Sequence, residues 1–232
     1  MMTSSALFPV STTIRPARHW LRALQGRFVE PPTQRLLTLN LRNGRRVRFY
    51  GSVRPALNDI FLHRIYDVPG VAFRQCRQVI DIGAGIGIFA AYVASQAPAA
   101  EIHCFEASSA SFSLLQRNLR ANTDTARAYR IGVCAQVPET EGVHCDLARA
   151  LAVCAVDVCD FLRIDLDGGE LPLLLDTPLE VLERVRVMSI KWSHTEEELP
   201  RVRLRLAAAG FKTAATYVGQ VHSRIVLKAW RE

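Results

Sequence analysis

Val79-Ile80-Asp81-Ile82-Gly83-Ala84-Gly85-Ile86-Gly87-Ile88-Phe89 is the stretch that decides the fold. Its first four residues, apolar except for Asp81, form a short run of the kind a buried strand shows. Three glycines at alternate positions follow, and the chain then continues with helical spacing to residue 95. Glycine tolerates left-handed backbone and lets a ligand come close to the main chain. A strand that turns through glycines into a helix opens a doubly wound α/β sheet, whose ligands sit beyond the carboxyl ends of the strands.

The pattern continues outward from that unit. Strands are expected at residues 101–106, 128–133, 159–166 and 185–192. Helices are expected at 109–121, at 169–182 with an interruption near Pro178, and at 196–209 up to Gly210. Alternation of this kind predicts a mostly parallel sheet with helices on both faces. Two last strands, 211–218 and 222–229 around Gly219, predict an antiparallel edge. Ahead of the sheet, residues 36–41 and 45–49 flank Arg42-Asn43-Gly44, a hairpin signal. Residues 56–66 carry Ile60, Phe61 and Ile65 on one helical face. A short helix is read at 19–24.

The 232 residues, 49% of them hydrophobic, suffice for one full core. The expected organisation is a basic segment with a β-hairpin over residues 1–55 and a ligand-binding domain over 56–232. Residues 1–50 hold nine arginines and a single acid, Glu30, although the chain's net charge is only +7. Such a segment is either a solvated surface or an attractor of nucleic acid, anionic lipid or acidic substrate. Only three of the 29 basic residues are lysine, which suggests an arginine-biased, bacterial genome. No apolar run approaches the ~20 residues of a membrane span. The six cysteines form no C-x-x-C pair, so free thiols in a reducing cytoplasm are expected, and no Cys/His spacing suits a metal.

Two cofactor classes use a glycine loop after the first strand. Dinucleotide enzymes show G-x-G-x-x-G, with a pyrophosphate at the helix N-terminus. Here the spacing is G-x-G-x-G, position 88 is Ile, and Asp81 lies two residues before the first glycine. An acid beside the loop suits a cationic ligand without phosphate, such as the sulfonium and α-amino group of S-adenosylmethionine. Glu106, ending His103-Cys104-Phe105-Glu106, follows Gly83 by 23 residues, where a carboxylate can accept both ribose hydroxyls. The expected cofactor residues are Asp81, Gly83, Ala84, Gly85, Gly87, Glu106 and Ala107.

Phe161-Leu162-Arg163-Ile164-Asp165-Leu166-Asp167-Gly168-Gly169-Glu170 resembles the Leu-Lys-Ile-Asp-Val-Glu-Gly-Ala-Glu segment of the FkbM-type methyltransferases. Asp81 to Gly87 resembles that family's first motif, and Phe105-Glu106 its ribose-binding pair. The resemblance spans roughly residues 56–215. It implies a Rossmann-like class I methyltransferase fold and methyl transfer from S-adenosylmethionine, often to a hydroxyl of a sugar or secondary metabolite. Three positions depart from the pattern. Ala107 replaces the usual Pro, Gly132-Val133-Cys134-Ala135 holds no acid, and Lys191 stands where an acid is common.

Methyl transfer needs alignment of donor and acceptor, and a hydroxyl acceptor benefits from a general base. Asp165, where the fourth parallel strand meets the cofactor edge, is the expected base or orienting group. His194, after the next strand, is the second candidate. The set Asp165, Asp167 and Glu170 could also attract Mg²⁺, but acids are equally favoured at a helix N-terminus, and no metal is assigned. A small-molecule or glycan acceptor is expected. An RNA or protein methyltransferase docking through its arginines, and a non-catalytic methyltransferase-like domain, stay open as alternatives.

Overall fold

The computed structural model describes residues 36–40, 46–50, 53–136, 143–218 and 224–231. The turns at Asn43-Gly44 and Gly219, and the candidate helix at 19–24, lie outside them. Strands β1 (Leu36–Asn40) and β2 (Arg46–Tyr50) pair antiparallel, as the hairpin signal predicts. The helical run expected at 56–66 is a short helix α1 (Arg54–Leu57) that widens into a π-helical turn at Asn58–Leu62. The boundary expected after residue 55 thus falls inside α1.

The body is a seven-stranded sheet. In chain order its elements are β3 (Gln78–Ile82), α2 (Ile88–Gln96), β4 (Glu101–Phe105), α3 (Ser109–Asn122) and β5 (Ala126–Tyr129). A two-residue pair, β6 (Gly132–Val133) and β7 (His144–Cys145), and helix α4 (Leu147–Val153) follow. Then come β8 (Cys159–Ile164), α5 (Glu170–Asp176), α6 (Leu179–Leu182), β9 (Val185–Trp192), α7 (Leu199–Ala208), β10 (Lys212–Val218) and β11 (Arg224–Trp230). The spatial order is β10-β11-β9-β8-β3-β4-β5. All neighbours are parallel except β11, which runs against both β9 and β10. The expected antiparallel edge is therefore present, with the last strand inserted beside β9 and β10 placed outermost.

Side chains alternate across a strand, and this splits the core into two layers. Val79, Ile102, Cys104, Phe161, Val187 and Val226 point to the face covered by α2, α3, residues 65–76 and the hairpin. Ile80, Ile82, Phe105, Leu162, Ile164, Met188 and Ile190 point to the face covered by α4 to α7. Leu39, Val47 and Phe49 of the hairpin are buried in the first layer, so the hairpin is part of the same core. Asparagine amides of α3 hold it there. Asn118 accepts from the Arg48 amide at 2.8 Å and donates to the Arg48 carbonyl at 2.9 Å. Asn122 does the same with Arg46, at 3.0 and 2.6 Å. An i, i+4 pair on a helix thus meets an i, i+2 pair on a strand. Asn118 also donates to the carbonyl of Ile86, within the glycine loop, at 2.7 Å.

The chain lays β4 and β5 on one side of β3 and then returns to lay β8 on the other. That reversal of strand order marks where a doubly wound fold binds its ligand. Among the described residues no helix is long and apolar enough to cross a membrane.

Candidate cofactor and acceptor site

A cavity of about 460 Å³ opens at the carboxyl ends of β3, β4 and β8. Its floor is the glycine loop. Gly83, Gly85 and Gly87 all have left-handed backbone, at φ 74°, 56° and 82°. They serve different ends. A Cβ on Gly83 would lie 1.9 Å from the carbonyl oxygen of Asp165, so Gly83 lets β3 and the chain after β8 close together. A Cβ on Gly87 would meet Leu115 at 2.8 Å, so Gly87 seats α2 on α3. In front of Gly85 there is open space for 4 Å, which leaves a cradle for a ligand.

Glu106 stands over that cradle. One carboxylate oxygen accepts from the Gly85 amide at 2.7 Å and the other from the Ser108 amide at 2.8 Å. Each oxygen keeps a further lone pair for a partner in the cavity. Two amides therefore fix a carboxylate whose two acceptors match a pair of vicinal hydroxyls. Ala84 and Ala107 complete this wall. The donor set fits S-adenosylmethionine: the open Gly85 backbone would border it, and Glu106 would take its ribose.

Beneath the cavity lies a charged network on the first face of the sheet. Asp81 and Arg163 sit directly opposite each other on β3 and β8, and both are buried. Arg163 donates to Asp81 at 2.6 Å, to the Gly83 carbonyl at 3.2 Å, to the Tyr66 hydroxyl at 3.1 Å and to Asp165. Its guanidinium lies 4.5 Å from the Tyr66 ring centre and 5.4 Å from that of Phe89. Burial opposes its charge, but Tyr66, Asp81 and Asp165 more than offset this and hold it cationic. Burial raises the Asp81 carboxyl, against the pull of Arg163. The second Asp81 oxygen has no partner among the described residues. Asp81, expected to contact cofactor, lies one layer below the cavity and outside its lining. It pairs with Arg163, which does line the cavity.

Asp165 lines the cavity as expected, but its oxygens are already engaged. One accepts from Lys191 at 2.8 Å, and the other accepts from Tyr66 at 3.0 Å and from Arg163. Burial alone would raise its carboxyl, yet Arg163 and Lys191 hold it below the ordinary range. A carboxylate so held is a poor proton acceptor and a good fixed charge. The structure thus favours orientation over base catalysis for Asp165.

The structure removes His194 from the cavity wall. Its Nε2 accepts from the Leu171 amide at 3.3 Å, in the first turn of α5, and its ring lies against Trp192. Free amides at a helix start need such partners, which explains the placement. Glu170 likewise faces away from the cavity, accepting from the amides of Leu166 at 2.9 Å and Gly168 at 3.0 Å. Asp165 and Asp167 instead bracket the Lys191 ammonium, at 2.8 and 2.9 Å. Among the described residues no cluster of three or more acidic, His or Cys side chains is arranged to hold a metal ion.

Sequence reasoning missed Tyr66 and Arg163. Arg163 carried a signal, being a charge inside the otherwise apolar Phe161-Leu162-Arg163-Ile164. Tyr66 carried none, because a tyrosine in an apolar stretch reads as packing.

Residues 68–143 match the model of the methyltransferase small domain family. A stretch of 75 residues is 32% identical to the AMB antimetabolite synthetase AmbE of Pseudomonas aeruginosa; it covers 32% of this chain and only 4% of that protein. Among solved structures, the delta-N METTL16 MTase domain superposes with TM-score 0.52 at 18% identity, covering 76% of this chain and 82% of its own. The methyltransferase FkbM from Methylobacillus flagellatus KT superposes with TM-score 0.55 at 14% identity, covering 78% and 54%. At such identities the structural likeness is one of fold. The family match falls on the glycine loop and Glu106, and it names the broad methyltransferase class without the FkbM type. The chain has the class I methyltransferase fold, and residues 68–143 of it match the methyltransferase small domain.

Proposed function

We propose that the protein is an S-adenosylmethionine-dependent methyltransferase, of FkbM-like type, acting on a small-molecule acceptor in the cytoplasm. The observation that carries this reading is the cradle: left-handed Gly85 with open space before it, and Glu106 fixed above by two amides. Gly83, Ala84, Gly85, Glu106 and Ala107 border the cofactor, and Asp81 and Gly87 support the loop from behind. S-adenosylmethionine supplies an activated methyl group, so the protein's work is to hold donor and acceptor in line. Asp165 orients through Lys191 and Tyr66, and His194 stabilises α5.

The test is calorimetric titration with S-adenosylmethionine, S-adenosylhomocysteine and, as control, NAD. Binding of both methyl-cycle ligands, lost in Gly85→Arg and weakened in Glu106→Ala, is the expected result. Binding of NAD instead, or of none of the three, would end the methyltransferase reading.

A further inference from the structure

A second cavity of about 270 Å³ adjoins the first. The two share Val53, Ala56, Ile60, Arg163, Asp165 and Lys191, so a molecule in the smaller one abuts the cofactor space. Its own walls are largely apolar, with Pro55, Ile65 and Val226 beside Tyr66. Its charged groups are mostly committed. Asp59 is buried and already partnered, and Arg163 and Asp165 hold each other. Lys191 differs. An ammonium has three donors, and two go to Asp165 and Asp167. The third is uncommitted among the described residues, at the border of both cavities.

We propose that the smaller cavity takes an apolar carboxylic acid whose carboxylate pairs with the third Lys191 donor, and that this carboxylate is the methyl acceptor. The inference rests on the methyltransferase reading above and replaces the hydroxyl acceptor that the family resemblance implies. The carboxylate oxygen forms the new bond to the methyl carbon. The carbon–sulfur bond breaks with its electron pair remaining on sulfur, so a sulfonium and a carboxylate become a thioether and a methyl ester. No proton moves.

That absence of proton transfer matches the residues at hand. A hydroxyl must surrender its proton to a base. Asp165 is held below the ordinary carboxyl range, and burial pushes the Tyr66 hydroxyl up to about 12. Burial works against the charge of Lys191, but Asp165 and Asp167 outweigh it and keep the ammonium protonated. Arg163, Asp59 and, across the larger cavity, Glu106 are the remaining charged groups facing this junction.

The experiment uses the full chain, saturated with S-adenosylhomocysteine. Phenylacetate and a chain-length series of aliphatic carboxylates are titrated in, each beside the alcohol and amine of the same skeleton. Carboxylates should bind and their partners should not. With S-adenosylmethionine, carboxylates should give an alkali-labile methyl product, at a kcat/KM that stays flat from about pH 6 to 9, above the carboxyl range. Lys191→Met should raise KM about tenfold or more, and Lys191→Arg should restore it; both must still bind S-adenosylhomocysteine, which shows that they fold. Binding of alcohols or amines in preference, binding of no carboxylate, or a KM indifferent to Lys191→Met would overturn the proposal. Failure of S-adenosylhomocysteine to bind wild-type protein would instead strike the underlying methyltransferase reading.

Discussion

Gly83 and Gly85 share a left-handed backbone but face different neighbours, so one substitution separates their roles. Gly83→Ala drives a methyl group into the Asp165 carbonyl and should cost about 3 kcal/mol of stability. Gly85→Ala meets only empty space and should cost about 1 kcal/mol for its backbone. The second variant should fold and lose ligand affinity; denaturant titration and calorimetry on both check the pair. Asp165 makes a different prediction. Asp165→Asn leaves Arg163 short of an anionic partner and should destabilise by about 3 kcal/mol at neutral pH. Because the folded carboxyl is lowered, its contribution is present above about pH 4, the unfolded value, and fades as pH falls through the folded one. Wild type and variant should therefore converge in stability on acidification. Asp81, raised by burial, works in the opposite sense and does not add to that acid loss. At this scale Glu106 and the glycine loop were legible, since their spacing along the chain sets their chemistry. Arg163 was not assigned, because its partners come from the lateral pairing of β3 with β8, which no local pattern specifies.

At the level of elements, helix α3 carries the asparagine pair that grips β2. Asn118→Ala removes a donor from two carbonyls and an acceptor from one amide. The loss should be about 2 kcal/mol, with faster amide exchange along β2 as the local signature. Boundaries were less legible than existence. The run expected at 128–133 divides into β5 and β6, because the sheet ends where the chain bends toward β7. The interruption expected near Pro178 within 169–182 is an exception, for α5 ends at Asp176 and α6 starts at Leu179, as proline's missing amide requires. The helix expected from residue 196 begins as a 3-10 turn, and α7 proper starts at Leu199. His194 stands apart from the cavity lining for a related reason. A polar residue after a parallel strand lies near the ligand edge in sequence terms, but here it turns to serve the start of α5.

For the whole molecule, the basic balance of the first 50 residues sets a choice between acceptors of very different size. A polyanionic acceptor held through phosphates would lose affinity steeply with salt, by about a thousandfold or more between 50 and 200 mM for six to ten contacts. A small acceptor inside the second cavity predicts a KM that changes only a few-fold over the same range. Steady-state kinetics at the two salt concentrations decide between them. The strand order itself was foreseeable as a class, since alternating strands and helices leave few right-handed arrangements. The insertion of β11 between β9 and β10 was not, because a final hairpin can dock by either strand.

Asn118 belongs at once to the hairpin and to the glycine loop, through Arg48 and Ile86. Two parts joined through one side chain share a free-energy balance, and such linkage is reciprocal. The part of a ligand's binding free energy that is coupled through Asn118 is returned, factor for factor, as tighter seating of the N-terminal hairpin. An occupant that tightens the seating of that hairpin would thus be felt as a change in affinity at the glycine loop.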